Sequence, residues 1–178
     1  RQQFGGNSTD HAYDLTVDGE NGVYLTGSTR SLLEGGNPLG SDPWVAKLNG
    51  QSGGETWLRQ FDVGDVSDLN VAAFAVAVDS EDNAIVTGNS FIGSDRDIWL
   101  AAFDPEGNIQ EEPTLFGSED EDDFSNDLAI DNNNNIYTVG NIGLETNTGN
   151  TDSDADIVIN QTGRTPDGGP EPEPLNNP

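Results

Sequence analysis

Three carboxylates at alternate positions, Asp152, Asp154 and Asp156 in the run DSDAD, are the residues best spaced for metal chemistry. Alternate residues of an extended strand share a face, so the three would crowd together. Crowded carboxylates repel unless a cation neutralises them, and calcium is the ion that such an oxygen set suits. The plainer reading is an exposed acidic loop leading into a strand. A second set, Asp131, Asn133 and Asn135, fills the first three positions of the D-x-[DN]-x-[DN]-G calcium loop, but Ile136 stands where that loop needs Gly. Related copies at Asp18 and Asp79 also break the template. A turn-capping role for these Asp residues therefore stands beside the metal role, because Asx side chains hydrogen-bond reversing backbone. The run Glu119 to Asp123 reads as a solvated loop.

Catalysis finds less support. His11 is the one histidine, and its neighbour Asp10 would point to the opposite face of a strand. No nucleophile-elbow pattern supplies a serine for a triad. Paired-carboxylate glycosidase chemistry stays open only because acids are so abundant. The aromatics Trp44, Trp57, Trp99, Tyr24 and Tyr137 offer sugar-stacking surfaces, yet their regular spacing fits internal packing better.

The balance of 33 acidic against six basic residues, a formal charge of -27, disfavours phosphate backbones and anionic membranes as partners. Cysteine is absent, so disulfides, thiolate metal sites and Cys nucleophiles are excluded. No apolar run approaches the roughly 20 residues of a membrane helix. Arg1 opens the sequence with neither Met nor a charged-then-apolar leader, as expected of a fragment or a processed chain.

The elements that position these residues follow from a repeat. VDGENGVYLTG at Val17 to Gly27 is echoed by VDSEDNAIVTG at Val78 to Gly88 and IDNNNNIYTVG at Ile130 to Gly140. Phe4, Phe61 and Phe116 recur at the same interval, as do Asp42, Asp97 and Asp156, giving a period of about 57 residues. Within each unit apolar residues alternate, which predicts strands. The first strand carries Tyr13, Leu15 and Val17, then Phe74, Val76 and Val78, then Asn126, Leu128 and Ile130. Second strands are expected over 23–29, 84–90 and 136–142, third strands over 44–48, 99–103 and 157–160, and fourth strands over 56–61 and 113–116. Gly27, Gly88 and Gly140 mark places where strands or blades approach closely.

Four short antiparallel strands per unit describe one blade of a beta-propeller. The first unit, with Tyr24, Gly27, Trp44-Val45-Ala46-Lys47-Leu48, Trp57 and Phe61, resembles the bacterial beta-propeller repeat abbreviated SBBP. The second unit departs from it with Ala102 at the place of Lys47 and Glu112 at that of Trp57. The resemblance implies an all-β chain of about three blades, an incomplete propeller over 1–161. Its units are expected at about 10–61, 71–116 and 123–161, with a fourth-strand remnant at 1–6. A Pro/Gly/acidic linker follows at 162–178.

A fold of this kind hosts many activities. The expected role is a non-enzymatic binding or structural module of a larger secreted or surface bacterial protein. Its partners would be the missing blades or other domains, and a protein or glycan ligand. A propeller enzyme acting on polysaccharide or ester and a calcium-stabilised adhesion module are the alternatives.

Overall fold

The computed structural model describes residues 3, 5–33, 40–64, 70–92, 95–117, 122–142 and 156–163, with backbone alone for 92, 142 and 156–163. The described residues form eleven strands and no helix: β1 (Asp10–Val17), β2 (Gly22–Thr29), β3 (Asp42–Asn49), β4 (Glu55–Gln60), β5 (Ala72–Val78), β6 (Ala84–Ile92), β7 (Asp95–Phe103), β8 (Ile109–Phe116), β9 (Phe124–Ile130), β10 (Asn135–Ile142) and β11 (Asp156–Gly163). They pair as three antiparallel sheets, β1-β2-β3-β4, β5-β6-β7-β8 and β9-β10-β11. The period-two segments of the sequence thus become the strands, and the sheets do not close into a ring.

The sheets stack face on face, with their first strands β1, β5 and β9 side by side. Between the first and second sheets lies an aromatic core of Tyr24, Val45, Trp57, Phe61, Val76, Val86, Trp99 and Phe103. Phe61 meets Trp99 edge to face at 5.6 Å and 89°, an orientation that sets a ring's positive edge on its neighbour's negative face. Polar tips of this core bind the next sheet's turns: Tyr24 Oη donates to the Asp82 carbonyl at 3.0 Å and Trp57 Nε1 to the Pro105 carbonyl at 2.8 Å. Arg59 Nε donates to the Gly107 carbonyl at 2.8 Å. The second interface is aliphatic, with Ala75, Ile85 and Ala102 against Leu128 and Ile136.

The third strands of the first two sheets, β3 and β7, are largely buried, as their unbroken apolar runs predict. The first strand of the first sheet differs from expectation. Leu15 is 61% exposed, whereas the residues at its repeat position, Val76 and Leu128, are 3% and 7% exposed; Val17 is 62% exposed and its counterparts Val78 and Ile130 are half-buried. Val76 and Leu128 face the sheet that precedes their own, Val76 the first and Leu128 the second. Leu15 pairs with Leu25 on the side of the first sheet turned away from the second. Nothing among the described residues covers Leu15 and Val17 there.

The repeated glycines have a specific cause. In each sheet the first strand bulges, skipping Tyr13, Phe74 or Asn126 in the ladder. The bulge pushes a carbonyl at the second strand: a Cβ on Gly27, Gly88 or Gly140 would lie 1.9 Å from the oxygen of His11, Ala72 or Phe124. Only a residue without Cβ fits, which is the close approach expected of these glycines.

Candidate functional site

The bulges do more than demand glycine. A bulge re-aims the residue it ejects from the ladder, and here it releases Tyr13 and Phe74 from the alternation of β1 and β5. Tyr13 is 46% exposed and Phe74 half-buried. Their rings meet at 5.0 Å, tilted by 45°, and His11 stacks on Tyr13 at 5.7 Å and 14°. The three rings make one aromatic surface spanning the first strands of two sheets.

That surface belongs to a groove of about 570 Å³ at the end of the molecule where β1, β5 and β9 begin. Small-molecule sites run from about 300 to 1,000 Å³. The polar side chains of Ser28, Ser41, Asn70 and Asn89 complete part of its wall, and Arg30 and Arg96 flank it. Arg96 is engaged: it bonds Asp122 Oδ2 at 2.7 Å and lies 5.3 Å above the Phe124 ring. Arg30 is exposed, and its guanidinium has no hydrogen-bond or ion-pair partner among the described residues. No Asp or Glu lines the groove among the described residues, although the chain carries 33 acids.

Four aspartates are instead used in turns. Asp18 Oδ1 accepts the N–H groups of Glu20 and Gly22 at 2.9 and 2.6 Å. Asp79 takes those of Glu81 and Asn83, and Asp131 those of Asn133 and Asn135. Asn21, Asp82 and Asn134, fourth in each turn, adopt φ of 68°, 62° and 61°, a left-handed conformation that Asn and Asp tolerate. Asp104 builds the same turn between β7 and β8, with Gly107 at φ 82° in the left-handed place.

The family comparison bears on this geometry. The beta-propeller repeat SBBP matches residues 1–34 and 114–143. These two segments carry SBBP beta-propeller repeats. The two matches take in β1 and β2, and the end of β8 with β9 and β10. The second propeller sheet lies mostly between them and repeats the same strand order, bulge and turn. No curated protein matches the chain.

Within this propeller arc the expected metal residues fall as follows. Asp131 and Asn135 come together, with the Asn135 amide donating to Asp131 Oδ2 at 2.8 Å, and Tyr137 Oη reaching the same oxygen at 3.2 Å. Asn133 contributes its backbone N–H. The Asn135 amide, then the Asn135 and Asn133 N–H groups and Tyr137, hold the Asp131 carboxyl below the usual carboxylate range despite some desolvation. Asp152 and Asp154 lie outside the described residues, and Asp156 opens β11 opposite Ile142. Among the described residues no three His, Asp or Glu side chains form a group suited to a metal ion. Most of the remnant at 1–6 and the linker beyond Gly163 are likewise outside the described residues.

The counterparts of Asp156 show what that repeat position does elsewhere. Asp42 is buried and accepts the Gln60 amide at 2.6 Å. Asp97 lies near Asp95 and Asp123, and burial, then repulsion from those two carboxylates, pushes its own carboxyl up.

Four of the five regularly spaced aromatics are interior: Tyr24, Trp44, Trp57 and Trp99 are at most 6% exposed. Sequence reasoning missed the exposed aromatic surface because it placed Tyr13 and Phe74 among the core-facing residues of an unbroken strand. The signal was the Gly paired with the residue before each of them, Gly27 with Ala12 and Gly88 with Ala73, since an isolated Gly in a strand marks a bulge.

Proposed function

We propose that the chain is a non-catalytic arc of a larger propeller, serving a secreted or surface protein as a binding module whose further blades pack on its two outer sheet faces. The observation that carries this reading is the exposure of Leu15 at a position whose counterparts Val76 and Leu128 are buried by a preceding sheet, with Val17 exposed beside it. A repeat protein buries its apolar faces only by stacking neighbours. The far side of the third sheet supports the same reading, with Val139 36% exposed. Non-catalytic binding suits Asp18, Asp79 and Asp131, which cap turns, and Asp42, which holds a buried amide.

The test is to fuse a copy of residues 61–116 ahead of residue 1 and measure the melting temperature. A blade seated on Leu15 and Val17 raises it and protects the β1 amides from hydrogen exchange. Unchanged stability and unchanged β1 protection would refute the reading.

A further inference from the structure

We infer that the groove at the start of β1, β5 and β9 binds an acidic sugar: a glycan unit bearing one carboxylate among neutral, hydroxyl-rich neighbours. The inference rests on the reading of the chain as a binding module and not on where further blades dock.

Three properties of the groove select this chemistry. The first is the aromatic surface. Tyr13 and Phe74, in contact at 5.0 Å, leave part of their rings open, and rings exposed at fixed positions offer an apolar, low-entropy platform for the C–H face of a sugar. The second is the polar wall. Ser41 and Asn70 present a hydroxyl and an amide, the donors and acceptors that fix hydroxylated ligands in orientation, whereas Ser28 Oγ and Asn89 Oδ1 are already bonded to Tyr13 Oη and the Ser125 N–H. The third is charge. In a chain of -27 this groove is lined by two arginines and, among the described residues, no acid.

The charge also limits the ligand. Arg96 is held by Asp122, which leaves Arg30 to meet an anion, and a guanidinium pairs a planar carboxylate through two parallel hydrogen bonds. A long polyanion would be repelled by the chain's net charge of -27. One carboxylate at Arg30, with uncharged sugar over Tyr13 and Phe74, satisfies both conditions.

The experiment compares two probes by isothermal titration calorimetry on the whole chain: a xylo-oligosaccharide carrying one glucuronic acid, and the same oligosaccharide without it. The acidic probe is expected to bind and the neutral one to bind at least about tenfold more weakly, as the loss of a hydrogen bond to a charged group predicts. Arg30→Gln should remove the difference between the probes. Tyr13→Ala should weaken both, and circular dichroism and melting temperature report whether each variant folds as the parent does. Equal affinity for the two probes, or a difference that survives Arg30→Gln, overturns the role of the carboxylate. Full competition by sulfate with affinity unaltered in Tyr13→Ala marks a simple anion site and overturns the sugar. Failure of both probes to bind at millimolar concentration, or binding of an acidic hexapeptide in their place, overturns the inference while leaving the fused-blade test untouched.

Discussion

Leu15 and Leu128 are the same residue at the same place in the repeat, which makes them a matched pair for measuring what a neighbouring blade contributes. Leu→Ala removes three carbons, and burial is worth about 0.8 kcal/mol per methylene. Leu128 is 7% exposed, so its truncation forfeits nearly all of that, about 2 kcal/mol, and a residual cavity raises the cost toward about 3 kcal/mol. Leu15 is 61% exposed, so the same truncation there costs about 1 kcal/mol or less. Urea unfolding of the two variants, followed by tryptophan fluorescence and far-ultraviolet circular dichroism, gives both values if the slope is unchanged. In the chain with a fused preceding blade, the cost of Leu15→Ala should rise to match that of Leu128→Ala. Equal costs in the original chain, or no rise after fusion, would contradict the assignment of the outer face as a blade-docking face.

Further predictions concern the elements that hold the arc together. Gly88→Ala sets a Cβ against the Ala72 carbonyl and the Trp99 ring, and should cost about 3 kcal/mol by overpacking, read by urea unfolding. Trp57→Phe deletes the bond to the Pro105 carbonyl and should cost about 1 kcal/mol for the hydrogen bond alone, with more for lost contact. Two effects oppose each other in pH dependence. Burial acts against it, but the N–H groups of Gly22 and Glu20 and the Lys47 ammonium hold the Asp18 carboxyl below its usual value. The Asn108 amide does the same for Asp104. A depressed carboxyl stabilises the fold above its unfolded value, near 3.9, and that stability is lost as pH falls through the folded value. Asp97 is raised, so its ionisation opposes folding at neutral pH. Asp97→Asn should therefore raise the melting temperature at pH 7 and leave it little changed near pH 3. Calcium held by Asp152, Asp154 and Asp156 would raise the melting temperature in a calcium titration, and an unchanged value removes that site.

The strands were legible because their physics is local. Period-two alternation and, in the third strands, unbroken apolar runs located all eleven, from Leu15 beside Thr16 in β1 to the Ile157-to-Asn160 run in β11, and Asp18, Asp79 and Asp131 marked the reversals. The bulges were half legible: Gly27, Gly88 and Gly140 signalled close approach, but the ejection of Tyr13 and Phe74 depends on register between strands, which alternation along one strand does not encode. The groove was illegible because its parts are distant in sequence. Arg30 ends β2's hairpin, Arg96 sits in β7 and Phe124 in β9, and only the stacking of sheets brings them to one end. The Asp104 turn was hidden for another reason: it lies between third and fourth strands, outside the phrase whose repetition drew attention to the other three.

Small-angle X-ray scattering of the chain at low concentration tests the central claim most directly. An arc with two uncovered blade faces predicts the scattering of an open, wedge-shaped particle, with association as concentration rises. A concentration-independent monomer whose scattering fits a closed ring would contradict it.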